Sequence, residues 1–194
     1  PAAGAPGTPP AVDGEGAGEQ VLLDVNELAA GHDFFSLGAS SVSTSGRLLA
    51  YSYDTAGDER FSLRIKNLVT GELLDDRLED VFYGATWAGE DYLFYVRVDE
   101  AWRPYQVWRH RLGTDESKDV LVYEEPDEKF GVGIGADRAE RYLIIASSSS
   151  LPSEYRVLPL EEPTGQFEVM WPREEGVEYA AVSDTQRRAP EAGR

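Results

Sequence analysis

The sequence predicts an all-β fold, a partial β-propeller of about three four-stranded antiparallel blades with disordered termini. Two observations support this class. A unit made of a strongly apolar strand, an amphipathic strand and an acidic, turn-rich exit occurs three times along the chain. The units follow one another at a spacing close to that of four-stranded propeller blades. Three such units account for about twelve strands and leave little room for helix.

The apolar strands set the repeat. They lie at 47–51, 92–96 and 142–146, and their leucines Leu48, Leu93 and Leu143 are 45 and 50 residues apart. Amphipathic strands follow at 63–68, 107–112 and 155–160, where apolar and polar residues alternate as in a strand with one buried face. The turns at 69–72, 113–116 and 163–166 then lead into fourth strands near 73–78, 120–123 and 167–171.

The remaining segments have different compositions. Residues 1–20 are almost wholly Pro, Ala, Gly and acidic residues, which bury too little apolar surface to offset chain entropy, so a disordered linker is predicted there. A short strand and then a helical turn are expected in 21–30. The partial propeller covers 21–179, with blades at about 34–80, 81–127 and 128–175. Residues 180–194 lack a strand pattern and are predicted to form an unstructured tail.

Three blades are too few to close a propeller, which usually has four to eight. The chain is therefore expected to be a fragment whose terminal blades each leave one face without a neighbour. Because blades stabilise one another through their shared faces, the fragment is expected to be marginally stable or to self-associate through its open blades.

Composition excludes several function classes. The formal net charge of −18 argues against nucleic acid, because binding to phosphates needs clustered Lys and Arg, and it allows a cationic partner. No apolar run is long enough to span a membrane, so no membrane association is expected. The absence of cysteine excludes disulfides and thiolate metal sites and agrees with a cytoplasmic location.

The sequence offers no convincing catalytic set. Gly38-Ala39-Ser40-Ser41-Val42 lacks the second glycine of a Gly-x-Ser-x-Gly nucleophile turn, and Ser147 to Ser150 are expected to form a turn at a strand end. His32 and His110 are expected to be structural hydrogen-bonding residues, and neither has a second ligand at metal spacing. No catalytic, cofactor-binding or metal-binding residue is assigned, and no cofactor is expected.

Acidic and aromatic residues leave other interpretations open. Paired loop carboxylates at Asp54, Asp58 and Glu59, and at Asp99 and Glu100, would suit a glycosidase, although solvated hairpins explain them more simply. Tryptophans are spread along the chain. Trp87 and Trp108 are expected in blade cores, whereas Trp102 lies in a loop where it would line a peptide channel or pack structurally.

One stretch carries a specific family resemblance. The run 103–110, Arg-Pro-Tyr-Gln-Val-Trp-Arg-His, followed by Leu112-Gly113-Thr114 and by Val122 to Asp127, closely resembles the oligopeptidase B (protease II) group of the prolyl oligopeptidase family. Collinear flanking matches extend the resemblance over about residues 21–179. The sequence departs from the family pattern at Thr44-Ser45, where Pro-Asp is common.

This resemblance implies a function. Members of the group are cytoplasmic serine peptidases in which a seven-bladed propeller caps an α/β-hydrolase domain, and they cleave short peptides after Lys or Arg. Their Ser, Asp and His lie in the hydrolase domain, to which no part of this chain corresponds. The resemblance therefore implies a substrate-gating segment that is inactive alone, with short cationic peptides and a hydrolase domain as partners.

Two further expectations remain open. A stand-alone propeller-like module that binds peptides or proteins is the alternative function. Arg97, Arg103 and Arg109 are candidates for contacts with the hydrolase domain, although ordinary surface ion pairs would also explain them.

Overall fold

The computed structural model describes residues 21–150 and 152–177, and these form three four-stranded antiparallel sheets. Blade 1 contains β1 Ser36–Val42, β2 Leu48–Asp54, β3 Phe61–Asn67 and β4 Leu73–Val81. Blade 2 contains β5 Ala85–Ala88, β6 Tyr92–Val98, β7 Pro104–Arg111 and β8 Val120–Glu124. Blade 3 contains β9 Gly131–Ala136, β10 Tyr142–Ser148, β11 Ser153–Pro159 and β12 Glu168–Trp171. The predicted all-β class and the four-stranded antiparallel units are confirmed.

In the segment before blade 1, the expected helical turn is present but the expected short strand is not. Residues 21–24 form no strand; instead the helical turn α1, Val25–Ala29, begins directly after Asp24. The Asp24 carboxylate accepts hydrogen bonds from the backbone N–H groups of Asn26 and Glu27, at 2.9 and 3.2 Å. This N-cap satisfies donors that a strand would have paired with a neighbour. The predicted linker 1–20 and tail 180–194 lie outside the described residues.

Within each blade, neighbouring strands are joined in sequence order. The turns before the second strands adopt positive φ, with values of 74° at Gly46, 64° at Gly89 and 51° at Glu140. Glycine accepts this conformation without steric cost, whereas blade 3 places a glutamate there. The innermost strands β1, β5 and β9 lie side by side. The Trp87 indole N–H donates to the Ser41 carbonyl at 2.9 Å, which joins β5 to β1.

The repeat register in blade 1 is shifted by one residue from the prediction. Ala50 packs between blades 1 and 2, in the same cluster as Leu93 of the facing blade. Phe94 packs between blades 2 and 3. Ala50 and Phe94 thus each face the blade that follows their own, so these two residues correspond. Leu93 therefore corresponds to Leu49, and not to Leu48 as predicted. Because side chains alternate faces along a strand, a one-residue shift changes which blade each leucine contacts.

Two apolar cores hold the blades together. The first lies between blades 1 and 2 and contains Leu63, Ile65, Leu78, Leu93 and Tyr95 among its buried residues. The second lies between blades 2 and 3 and contains Phe94, Val96, Val107, Leu143 and Leu158. Each core combines alternate residues of two adjacent sheets, as expected for face-to-face packing.

The two outer faces of the array, on blades 1 and 3, differ in how well they are covered. The segment before blade 1 packs on that blade's outer face, where Phe35 stacks on Tyr53 at 5.7 Å and Lys66 Nζ donates to the Leu22 carbonyl at 2.9 Å. Tyr51 on the same face is only 2% exposed. The face of blade 1 that was expected to be open is therefore covered. On the outer face of blade 3, Tyr142 remains 40% exposed.

In the described part of the chain, no helix is both long and apolar enough to cross a bilayer.

Candidate functional site

His110 lies fully buried at the boundary between blades 1 and 2. It projects from β7, and its Nδ1 lies 2.7 Å from Asp119 Oδ1 while its Nε2 lies 2.9 Å from Asp76 Oδ1. Asp76 belongs to β4 of blade 1 and also accepts the Gly113 N–H at 2.6 Å. Both imidazole nitrogens are thus committed to carboxylates, so this side chain has no nitrogen available as a general base. These contacts agree with the structural role expected for His110.

The charge of this cluster follows from its contacts. Burial opposes protonation of His110, but the hydrogen bonds and charges of Asp119 and Asp76 outweigh it and raise the pKa of the imidazole to about 9. Burial likewise tends to raise the pKa of Asp76, but the hydrogen bonds from His110 and Gly113 lower it overall. At neutral pH the cluster is therefore an imidazolium between two carboxylates. The Tyr95 hydroxyl also donates a hydrogen bond to Asp119, at 2.9 Å.

A second buried charge cluster joins blades 2 and 3. Glu125 accepts hydrogen bonds from the Tyr123 hydroxyl at 2.7 Å and from Arg173 Nη2 at 2.6 Å, and Ser147 also donates to it. The Arg173 guanidinium lies 3.9 Å from the centre of the Phe130 ring. Burial tends to raise the pKa of Glu125, but the bonds from Arg173, Ser147 and Tyr123 lower it to about 2. The cluster fastens the chain after β12 to the end of blade 2.

The serines do not form a nucleophile site. Ser147 is fully buried within β10 rather than in a turn as expected, because its hydroxyl pairs with Glu125. The turn begins two residues later, where the Ser149 N–H donates to the Pro152 carbonyl at 3.2 Å. In the described part of the chain, neither histidine hydrogen-bonds a serine. His32 lies in the exposed loop before β1, with its ring centre 6.3 Å from that of Phe35.

The loop carboxylates considered for a glycosidase are engaged in local structure. Asp54 is buried and accepts the backbone N–H groups of Ala56, Gly57 and Glu59 at 2.7 to 2.9 Å. Asp99 accepts backbone N–H groups in its own loop and pairs with Arg103 at 2.9 Å. For each of these aspartates, burial tends to raise the pKa, but the hydrogen bonds together lower it. They order their loops, and neither is kept protonated as a glycosidase acid would be.

The three candidate arginines all make contacts within the chain. Arg103 donates to the backbone carbonyls of Glu125, Asp127 and Phe130 at 3.1 to 3.2 Å, in addition to its pair with Asp99. Arg97 pairs with Glu116, and Arg109 donates to the Pro163 carbonyl at 2.9 Å. They therefore tie blades and loops together within the chain.

The most distinctive surface lies at one end of the blade array. We call it the Trp102 end and define it by the segments 33–35, 54–61, 82–84 and 99–103. Three aromatic side chains are exposed there: Phe34 at 45%, Tyr83 at 47% and Trp102 at 45%. The Trp102 indole N–H donates to the Asp58 carbonyl at 2.7 Å, and the Arg60 guanidinium lies 5.2 Å from its ring centre.

The tryptophans otherwise follow expectation. Trp87 is buried, and Trp108 is partly buried against the core between blades 1 and 2. Trp102 lies in the loop between β6 and β7 with a φ of 60°, a conformation that bulky residues rarely adopt. Its indole is held in place by contacts with Asp58 and Arg60 of the neighbouring blade. A loop tryptophan next to an arginine was the only local signal for this surface, so the surface itself was not predicted.

No group of three or more His, Asp and Glu side chains in residues 21–150 and 152–177 is arranged to hold a metal ion.

Comparison with known proteins identifies the family of this fold. Residues 8–188 match the family described as "Prolyl oligopeptidase, N-terminal beta-propeller domain". Dipeptidyl aminopeptidase BI of Pseudoxanthomonas mexicana is 46% identical over 170 residues, a match that covers 87% of this chain and 23% of that protein. Protease 2 of Moraxella lacunata is 39% identical over 166 residues, covering 84% of this chain and 24% of that protein.

A solved structure supports this family match. Oligopeptidase B from Leishmania major superimposes with a TM-score of 0.82 at 30% identity, covering 89% of this chain and 24% of that one. The chain thus spans about a quarter of the length of the relatives that it matches. Because the family match covers nearly the whole chain and the described residues form consecutive four-stranded blades, the chain belongs to the prolyl oligopeptidase family and corresponds to its N-terminal β-propeller region.

Proposed function

We propose that this chain is the substrate-gating propeller segment of an oligopeptidase B-type serine peptidase that cleaves short peptides after Lys or Arg. The observation that carries the proposal is the array of three blades, which superimposes on oligopeptidase B from Leishmania major over 89% of this chain. Protease 2 of Moraxella lacunata, a curated relative, supports a peptidase role. The net charge of −18 favours cationic peptides, since an acidic surface raises their local concentration.

The chain alone is proposed to be inactive, because hydrolysis requires an α/β-hydrolase domain as its partner. Its histidines support this view. His110 is locked between Asp76 and Asp119, and His32 lies in an exposed loop without a serine partner. The propeller would act as a filter that admits short flexible peptides and excludes folded proteins. The absence of cysteine supports a cytoplasmic location.

Two other functions compete with this proposal. Dipeptidyl aminopeptidase BI of Pseudoxanthomonas mexicana is 46% identical to this chain, which favours a peptidase that releases dipeptides from free N-termini. A stand-alone interaction module that binds peptides without chemistry is the second. The nucleotide sequence downstream of the codon for Arg194 separates the peptidases from the module, because a peptidase requires an in-frame Gly-x-Ser-x-Gly motif there.

Activity assays then distinguish the two peptidases. The complete protein is assayed with an N-terminally blocked Arg-Arg coumarin amide and with a coumarin amide of an unblocked apolar dipeptide. The proposal predicts turnover of the blocked basic substrate and loss of that turnover after treatment with a serine-reactive inhibitor. Turnover of the unblocked dipeptide alone would assign the dipeptidyl activity instead. Inhibitor-sensitive turnover by the 194-residue chain itself would overturn the claim that it is inactive alone.

A further inference from the structure

We propose that the groove between blades 2 and 3, at the rim of the array, binds an extended acidic segment of a partner protein. The segment adds to β8 as a further strand and places a carboxylate beside Arg109. We call this site the Arg109 groove and define it by Arg109, strand residues 120–123, Arg156 and turn residues 164–167. The site goes beyond the proposed peptidase function, because binding there requires no hydrolysis.

The strand beside the groove has an open edge. β8 is the last strand in the order β5-β6-β7-β8, so one side of its backbone has no strand partner in the described part of the chain. Val120 and Leu121 in this strand are 44% and 40% exposed. Edge strands usually carry charges that discourage further pairing, as the run 75–77, Asp-Asp-Arg, does in β4. β8 carries a charge only at Glu124, so its edge is open to an added strand.

Apolar side chains and an ordered turn form the groove, which has a volume of about 420 Å³. Val122, Tyr123 and Phe167 line it and are only partly buried against the core between blades 2 and 3. On the blade 3 side, the Gly165 N–H donates to the Glu162 carbonyl at 2.8 Å, which closes the turn. A preformed groove of this kind loses little entropy when a ligand binds.

The charge of the Arg109 groove is opposite to that of the chain. The described residues that line it include Arg109 and Arg156 and no carboxylate, although the chain has 36 acidic and 18 basic residues. A rim cavity between blades 1 and 2 is instead lined by Asp75, Asp76 and Asp115 without a basic side chain. The basic groove is therefore a local feature, and it favours an acidic partner.

Arg109 has the donors to hold a carboxylate. Its Nη1 donates to the Pro163 carbonyl at 2.9 Å, and its guanidinium lies 5.8 Å from the centre of the Tyr92 ring. Within residues 21–150 and 152–177 no carboxylate pairs with it, so the Nε and Nη2 donors remain available. A guanidinium binds a carboxylate best through two parallel N–H groups, and these two supply such a pair.

The neighbouring charges leave Arg109 as the uncompensated one in the groove. Arg156 pairs with Glu154, and its guanidinium lies 4.3 Å from the centre of the Tyr123 ring. Arg156 therefore fixes the aromatic wall more than it adds net charge. Glu124, at the end of β8, does not line the groove, and its carboxylate accepts a hydrogen bond from Gln106 Nε2 at 2.6 Å.

An extended acidic segment fits these features better than other occupants. A small anion would use Arg109 but leave the β8 edge and the apolar wall uncovered. A second copy of the chain would bring a net charge of −18, which opposes association. In strand addition, backbone hydrogen bonds supply affinity and alternate side chains supply specificity, so a carboxylate at Arg109 would select the partner.

Peptide titrations of the 194-residue chain, followed in ¹⁵N–¹H NMR spectra, test the proposal. The probe is acetyl-Val-Thr-Glu-Thr-Val-amide, which in an extended conformation places Glu between two valines on one face. We expect shifts at 120–123 and 164–167, and binding about tenfold tighter than that of the peptides with Gln or Lys in place of Glu. If the chain does not fold alone, fluorescein-labelled forms of these peptides are titrated against the complete peptidase.

Variants locate the carboxylate in the groove. Arg109→Gln should weaken binding of the Glu peptide about tenfold and that of the Gln peptide less than about twofold. Arg111→Gln, at an exposed arginine of the same strand outside the groove, is the matched control and should change neither. If Arg109→Gln does not fold, Gln166→Glu in the exposed turn gives the same test, since it should weaken the Glu peptide and favour the Lys peptide.

Two backbone-methylated forms of the Glu peptide test strand addition. A peptide that pairs with β8 uses the N–H groups of only one of its edges, because these groups alternate sides along a strand. Methylation at the two threonines and methylation at the valines and Glu should therefore have unequal effects. One should abolish binding, and the other should weaken it less than about threefold.

Several results would overturn the inference. These are equal binding of the Glu and Lys peptides, unchanged binding of the Glu peptide to both groove variants, and equal effects of the two methylation patterns. Succinate binding as tightly as the Glu peptide would assign the groove to a free anion. Groove shifts that depend on chain concentration without peptide would assign it to a second copy. These titrations do not measure cleavage, so they fail or succeed independently of the proposed peptidase activity.

Discussion

His110 in β7 and Asp76 in β4 form an ion pair across the boundary between blades 1 and 2, with Nε2 2.9 Å from Oδ1. The next boundary is built differently. His110 pairs with Leu93 in blade 2, and the corresponding partner of Leu143 in blade 3 is Leu158. At this position the boundary between blades 1 and 2 contains a buried charge cluster, whereas the boundary between blades 2 and 3 has the apolar side chain of Leu158.

Replacing His110 by alanine should destabilise the chain by about 3–5 kcal/mol, because it leaves the Asp76 and Asp119 carboxylates buried without their cation. The free energy of unfolding at pH 7 is measured by urea titration. His32→Ala, in the exposed loop, is the control and should change it by less than about 0.5 kcal/mol. Equal losses in the two variants would contradict the assignment of a buried ion pair.

The same histidine predicts a loss of stability at alkaline pH. The pKa of His110 is raised from 6.5 to about 9, so its contribution is fully present below about pH 6.5 and is lost as the pH rises through 9. A shift of this size corresponds to about 3 kcal/mol. Unfolding free energies between pH 6 and 9.5 should fall more steeply for the native chain than for His110→Ala. An imidazole NMR titration with its midpoint near 6.5 would refute this.

Glu125 should cause a loss of stability at acid pH instead, because its carboxylate becomes protonated there. Its pKa is lowered from 4.5 to about 2, so its contribution is present above about pH 4.5 and is lost as the pH falls through 2. Glu125→Gln should therefore cost about 2–3 kcal/mol at pH 7, and this difference should disappear near pH 2. Glu128→Gln, on the exposed neighbouring loop, is the matched control. A difference between Glu125→Gln and the native chain that did not change with pH would contradict an ionised Glu125.

Two glycines of the innermost strands should respond differently to alanine. A Cβ at Gly38 in β1 would lie 2.6 Å from both the Phe61 ring and Ser52 Oγ, whereas a Cβ at Gly133 in β9 meets nothing within 4 Å. We expect Gly38→Ala to lower the melting temperature, with a cost of about 1–3 kcal/mol, and Gly133→Ala to be neutral or slightly stabilising. Equal melting temperatures for the two variants would show that β1 does not lie against β2 and β3 as described.

Local patterns were sufficient to predict the strands but not the contacts between blades. Alternation at Leu63 and Ile65 indicated a strand with one buried face, and both side chains are fully buried. The register of blade 1 was missed because Leu48 and Leu49 are both apolar, and composition does not show which one faces blade 2.

The charge clusters were missed for a different reason. Asp76 is 34 residues from His110, and Glu125 is 48 residues from Arg173, so no local pattern links either pair. The Trp102 end was missed in the same way, since it forms only when loops of two blades meet. The helical turn in 21–30 was predicted from the local pattern, but the strand expected before it is absent, because Asp24 caps the helix instead.

The central claim is that the repeats are consecutive blades whose innermost strands lie side by side. The most direct test is a ¹⁵N-edited NOESY spectrum of the 194-residue chain, read at the Trp87 indole N–H, which donates to the Ser41 carbonyl at 2.9 Å. Cross-peaks from this proton to the α-protons of Ser41 and Val42 in β1 are predicted. Their absence in a folded chain, with cross-peaks to helical neighbours or to blade 3 alone, would contradict the blade arrangement.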